Sequence, residues 1–326
     1  MTTWRSGASP GVLAARSELL HAIRGYFYQQ DVIEVETPTL GSRGVSDLHI
    51  ENIQFVHQGR AHFLQTSPEY AMKRLLASGS GSIYQICPAY RGREIGRRHN
   101  IEFTMLEWYR VGYSISELMD DTQALLSAVA ETVEAQQFNF AEMPRVSYRY
   151  LFLERFGINP HQTSIEQLAD LARAAELDCS HIQNYNDDAS LGDYLDLLFS
   201  ASIEPQLEKP TIVYNFPACQ VALAQLGMED DCIVAKRFEV FVAGIELANG
   251  YLELNDGQEL EGRMKVNNEQ RKIRGLGNIE ADAKLLSALA HMPPCSGIAM
   301  GLDRLLMILL ATDNLAEVLS FTSDNI

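Results

Sequence analysis

The chain has 326 residues, 46% hydrophobic and 21% charged, the composition of a folded protein rather than a disordered one. A formal net charge of −17 argues against a general nucleic-acid-binding surface, which needs a basic face. It leaves room for a local anion pocket, because net charge is a sum. In chain order, Leu20, Ile23 and Phe27 predict an amphipathic helix from Leu13 to about Gln29. Val32, Ile33 and Val35 then predict a strand that Pro38 stops. A helix follows, capped by Ser67, with Pro68 in its first turn and Gly79 at its end. SIYQICPAYRG and IEFTMLEWYRVGY read as two strands joined by an arginine-rich loop from Gly92 to Asn100. A long helix is predicted over Ser114–Ala135, and residues 141–210 have leucine and alanine at helical spacing, as an inserted helical segment. TIVYNF, AKRFEVFVAGIELANG and YLELND are strand-like, and a charged helix runs from about Gly257 to Arg274. The strand GIAMG and the helix LDRLLMILLA close the chain. These elements predict an α+β fold with a mixed, mostly antiparallel sheet flanked by helices, in one domain over 1–326.

The five cysteines, Cys87, Cys179, Cys219, Cys232 and Cys295, are scattered without a C-x-x-C pair. A zinc site is not expected, and a reduced, cytoplasmic setting is the default. No signal pattern opens the chain, and the apolar run Leu305–Ala311 is far too short to span a bilayer.

The stretch RGREIGRRHNIEFTMLEWYR, residues 91–110, concentrates five arginines in an acidic chain. Period-two alternation puts Ile101, Phe103, Met105, Glu107 and Tyr109 on one face of the strand and Glu102, Thr104, Leu106 and Trp108 on the other. A carboxylate beside Phe103 and Met105 needs a cationic partner. Glu107 is either a sheet-edge carboxylate paired with a neighbouring arginine or a pocket wall that receives an ammonium group. Glu246 and Glu253 are either solvated strand carboxylates or a pair that holds Mg²⁺ beside phosphate. Arg91 and Arg304 have the bidentate geometry that clamps triphosphate oxygens, Phe103 offers a stacking face for a base, and Gly301 lets a flat ring approach the backbone. Glu69 and Glu107 are then left for a positively charged co-substrate.

These residues carry a resemblance. YRGREIGRRHNIEFTMLEWY resembles motif 2 of the class II aminoacyl-tRNA synthetases and GIAMGLDRLLM resembles motif 3. The helix and strand ending at Pro38 resemble motif 1, the dimer element. TSPEYAMKRLL, EFTMLEWY and ELANGYLELND look like the lysine-specific branch. Only about a dozen residues precede the first helix, so no anticodon-binding domain and no tRNA anticodon recognition are expected. In this the chain is similar to the paralogues that attach lysine or (R)-β-lysine to a lysine of elongation factor P. Ala299 stands where lysyl-tRNA synthetases usually have glycine, which fits a differently placed amino group.

The resemblance implies ATP as co-substrate, Mg²⁺, a homodimer and no membrane association. Arg91 would contact the α-phosphate and the substrate carboxylate, and Arg304 the γ-phosphate. Gly92, His99 and Asn100 would belong to the ATP loop, with Phe103 under the adenine and Leu247 and Gly301 beside the nucleotide. Glu246 and Glu253 would serve the metal and ATP. Ser67, Pro68, Glu69, Glu107, Tyr109, Glu253, Asn255 and Ala299 would surround the lysine-like substrate. The family usually has glutamate two residues after the motif 2 arginine; this chain has Arg93 there and Glu94 next, so the adenine contact falls to one or the other. Ile101 replaces a common proline. The implied reaction is adenylate formation followed by attack of a protein ε-amine. The alternatives are an activating enzyme with another acceptor, tRNA or a small amine, and a non-catalytic synthetase-like regulatory subunit.

Overall fold

A computed structural model describes residues 4–92, 96–133, 137–180, 182 and 188–326. Ser9 caps helix α1 (Pro10–Gln29), accepting from the Val12 N–H, so the helix starts ahead of Leu13. Of the strand read around Val32–Pro38, only β1 (Ile33–Glu34) forms; after Pro38 the chain continues in β2 (Leu40–Gly41), β3 (Gln54–His57) and β4 (Arg60–Leu64). Helix α2 (Glu69–Ala77) has Pro68 at its N-cap position. Ser67 thus stands one residue ahead of the cap it was expected to be, because proline there has no N–H and Ser67 reaches over it to the Glu69 N–H at 3.0 Å. β5 (Ile83–Tyr90) and β6 (Glu102–Val111) follow. α3 (Ile115–Thr132) opens on a reciprocal capping box between Ser114 and Glu117.

The read helical segment holds β7 (Arg145–Ser147) and then α4 (Tyr148–Phe156), α5 (Ile165–Ala174) and α6 (Asp188–Ser202). β8 (Thr211–Pro217), β9 (Leu226–Glu229), β10 (Cys232–Val242) and β11 (Ile245–Leu252) follow. The run AKRFEVFVAGIELANG is not one strand: Ala243 (φ 53°) and Gly244 (φ 65°) form a two-residue hairpin between β10 and β11. The chain ends in α7 (Gly257–Ile273), α8 (Ala283–Leu289), β12 (Cys295–Gly301) and α9 (Leu302–Leu309). Among the described residues no helix is long and apolar enough to cross a membrane.

These elements form two compact units, Met1–Gln137 with Leu254–Ile326, and Phe138–Glu253. In the first, the order is β1-β5-β6-β12, antiparallel except for the β1–β5 pair, beside a small β2-β4-β3 sheet. Leu19, Ile23 and Phe27 bury one stripe of α1, and the Phe27 ring stacks on Tyr84 at 4.3 Å. Behind β6, the buried Asp121 of α3 accepts from Tyr26 Oη (2.7 Å), Trp108 Nε1 (3.0 Å) and both Nε and Nη2 of Arg110 (2.8 and 2.5 Å). Breaking a buried pair strands the remaining charge. Asp121→Ala is therefore expected to cost about 3–5 kcal/mol, read as a lower denaturant midpoint, with Asp121→Asn intermediate.

In the second unit the order is β11-β10-β8-β7, with β9 on the far part of β10. Tyr148 stacks on Phe152 and Phe199 at 4.7 and 5.1 Å, and Phe199 meets Phe241 at 5.4 Å, which fastens α4 and α6 onto this sheet. Both units are α+β with mostly antiparallel pairing, as expected.

Candidate active site

Within the first unit, β6 lies between β5 and β12, so Glu107 is not at a sheet edge. Its register partners are Gln85 on β5 and Ala299 on β12, while Tyr109 faces Ile83 and Gly297, and Met105 faces Cys87 and Gly301. The β12 residues on this face are therefore Gly297, Ala299 and Gly301, none with a side chain larger than a methyl. Glu107 is 2% exposed and accepts from Tyr109 Oη at Oε1 and from Ser67 Oγ at Oε2, both at 2.6 Å. Ser67 links strand to helix, since the same oxygen receives the Glu69 N–H. Glu69 itself is 2.7 Å from the buried Lys73 ammonium, one helical turn on. The carboxylate of Glu107 is thus a buried anion oriented by two hydroxyls.

Toward the other end of β6, the Arg91 guanidinium lies 5.2 Å from the centre of the Phe103 ring. The Arg91 N–H donates to Ile101 O at 3.0 Å, and Gly92 donates to Glu51 O at 3.0 Å. A Cβ on Gly92 would lie 3.0 Å from the Glu51 Cγ, so a larger residue there needs the Glu51 side chain to shift. Arg93 and Glu94 lie outside the described residues. Past them, a bridge between Gly96 and His99 closes the loop. His99 Nε2 lies 2.6 Å from Arg304 Nη2, and Asn100 Oδ1 receives both the N–H and the hydroxyl of Ser323 at 3.1 Å.

Helix α9 holds Arg304, and Gly301 takes its N-cap position. Its neighbour Asp303, 2% exposed, accepts from the Thr104 N–H and from Arg16 Nη1, each at 2.6 Å. Asp303 therefore pins the start of α9 to β6 one residue from Phe103. Ala299 and Asn255 are half-buried, and Asn255 sits in the segment leading to α7.

A second group of charges belongs to the second unit. Glu246 and Glu253 are seven residues apart, and strict alternation would set an odd separation on opposite faces. β11 is irregular: Val240 pairs with Ala248 but Phe241 pairs with Glu246, so Leu247 is an extra residue. That bulge turns Glu246 to the face of Arg237, Glu239 and Asn249. Glu239 is 7% exposed, ion-paired with Arg237, which also donates to Asn249 Oδ1 at 3.2 Å and to Gln220 O at 2.9 Å. Burial raises the Glu239 carboxyl above the usual carboxylate range; Arg237 opposes this, while the charges of Glu246 and Asp196 add to it. Glu253, 1% exposed, forms a bridge with Ala224 and receives Gln225 Nε2 on its backbone oxygen at 2.9 Å.

The chain matches the family model described as tRNA synthetases class II (D, K and N) over residues 1–325. It belongs to that family. It is also 42% identical to proteins of Salmonella typhi, Salmonella dublin and Salmonella arizonae, each named elongation factor P–(R)-β-lysine ligase. Each match covers 99% of this chain and 98% of the relative.

The structure brings together Ser67, Glu107 and Tyr109, then Arg91 with Phe103, then His99 with Arg304. Sequence reasoning passed over Lys73, Gln85, Glu239 and Asp303. Two of these had a local signal: Lys73 stands four residues after Glu69 on a helix, and Glu239 alternates with Arg237 between the apolar Phe238 and Val240. Gln85 and Asp303 had none, because their neighbours are set by strand register and by a helix docking onto a distant strand.

Proposed function

We propose that this chain activates (R)-β-lysine, or lysine, with ATP as an aminoacyl adenylate and transfers it to the ε-amine of a lysine on elongation factor P. The observation that carries the reading is Glu107: a buried carboxylate, oriented by Tyr109 and Ser67, beside Gly297, Ala299 and Gly301 of β12, in a chain 42% identical over 99% of its length to such ligases. A buried carboxylate set among hydroxyls suits an ammonium group.

In the first step the substrate carboxylate attacks the α-phosphorus of ATP, forming a C–O–P bond as pyrophosphate leaves. A carboxylate is already nucleophilic at neutral pH, so positioning and charge neutralisation suffice. Arg91 serves the α-phosphate and the substrate carboxylate, Arg304 the γ-phosphate, and Phe103 the adenine. Gly92, His99, Asn100 and Gly301 border the nucleotide. Glu69, Pro68 and Asn255 complete the amino-acid site with Ser67, Glu107 and Tyr109. In the second step the protein ε-amine attacks the acyl carbon and AMP departs.

The donor set also fits Mg²⁺, which takes one or two carboxylates and fills its shell with phosphate and water. Glu246 would hold it with Glu253. The ion would supply neutralisation of the triphosphate. A cytoplasmic homodimer built on α1 belongs to the same reading; the exposed Leu13 (42%), Tyr28 (84%) and Ile33 (56%) support it.

The test is ATP–pyrophosphate exchange with α-lysine and (R)-β-lysine, followed by mass spectrometry of elongation factor P. Exchange and a one-residue mass gain are expected. No exchange with either amino acid overturns activation, and charging of tRNA alone overturns the acceptor. Ala299 projects beside Glu107, so a methyl there reaches the amino-acid chain. Ala299→Gly is expected to shift the kcat/KM ratio from (R)-β-lysine toward α-lysine by about tenfold or more, read in the same exchange assay.

A further inference from the structure

Gln85 is 2% exposed, and its Oε1 meets no hydrogen-bond donor. A buried polar group without a partner is uncommon in folded proteins and calls for a reason. Gln85 lies on β5 directly opposite Glu107, which in turn lies opposite Ala299 on β12. Opposed residues of neighbouring strands point to one face, so Gln85, Glu107 and Ala299 form a row across three strands. Cys87, two residues on, shares that face. Burial and the Glu107 charge push its thiol up to about 12, against hydrogen bonds from Gln85 and Gln65. The Gln85 side chain thus lies on the sheet face that carries Glu107, buried and with its oxygen unmatched.

A primary ammonium presents three N–H donors, and a buried one needs an acceptor for each. The Glu107 oxygens already receive the Tyr109 and Ser67 hydroxyls. We propose that Gln85 Oε1 is a further acceptor for the side-chain ammonium of the substrate, completing with Glu107 the shell of that charge. The proposal rests on the amino-acid site described above. A neutral amide suits the position: a second carboxylate opposite Glu107 would make a like-charge pair, whereas a carbonyl adds a dipole and no charge. One anion then meets one cation, and the amide sets the direction of approach.

The experiment compares Gln85→Met and Gln85→Leu with the unaltered chain, by thermal melting and by calorimetric titration. The ligands are α-lysine, (R)-β-lysine, ATP and norleucine, which lacks the terminal amine. Without ligand, both variants are expected to melt at or above the unaltered protein, because an unmet acceptor is gone. Affinity for both lysines is expected to fall about 10- to 100-fold, with ATP affinity unchanged and the preference for lysine over norleucine reduced by the same factor. A purely structural glutamine predicts the reverse, a lower melting temperature with lysine affinity intact. Unchanged lysine affinity in both variants overturns the proposal, whatever the melting temperature. If the unaltered chain binds lysine but supports no pyrophosphate exchange, the activation chemistry falls while the Gln85 result stands on binding. If it binds neither lysine isomer, both fall.

Discussion

Arg91→Ala is expected to lower kcat/KM for lysine-dependent pyrophosphate exchange by about three orders of magnitude or more, the range seen when an arginine that neutralises a transferring phosphoryl group is lost. The residue follows the last position of β5, with its backbone N–H tied to Ile101 O and its guanidinium held over the Phe103 ring. It is therefore ordered before any nucleotide arrives, and its charge acts without reorganisation at the moment of reaction. Arg91→Lys is expected to recover little, since an ammonium makes no bidentate contact and stacks poorly on the ring. Circular dichroism and melting should stay close to those of the unaltered protein. A loss below tenfold in Arg91→Ala would remove the arginine from the reacting phosphate.

Glu107→Gln is the second large effect. The amide keeps an acceptor for one hydroxyl but removes the charge, leaving a buried ammonium without its counter-ion. Losses of this kind run to about 3–5 kcal/mol, or roughly two to three orders of magnitude in affinity. The expected result is a KM for lysine raised by that factor, with the KM for ATP unchanged, in exchange assays that vary each substrate in turn. Tyr109→Phe, which removes only one orienting hydroxyl, should fall between, at about tenfold. If the KM for ATP rises in parallel with that for lysine, Glu107 shapes the strand and does not meet the amine.

The two predictions draw on different amounts of sequence information. The alternation along residues 101–110 already set Phe103, Met105, Glu107 and Tyr109 on one face, because side-chain direction in a strand follows from the backbone pleat alone. Helix ends were equally local: the Ser114–Glu117 box and the Asp256 cap are each written within a few consecutive residues. The motifs and their order carried the family, which the match over residues 1–325 bears out.

Ser67 shows where local rules stop. Serine before proline and glutamate reads as a cap, yet its position is decided by the Glu107 oxygen that it reaches 40 residues away. Glu246 shows the same limit in a strand, since counting by twos puts it opposite Glu253 and only the extra Leu247 reverses that face. A bulge depends on how the partner strand pairs, and nothing in ELANGYLE by itself states it.

By itself, then, the amino-acid sequence determined what neighbours along the chain decide: the helices, the two faces of β6, the α+β class, and the motifs that mark the family. Tertiary structure alone decided the row Gln85–Glu107–Ala299, the bulge at Leu247, and the bond from Asp303 to Thr104, 199 residues apart. The reason is physical: a pleat or a helical turn repeats over a few residues, whereas register and docking are set by the packing of whole elements against each other.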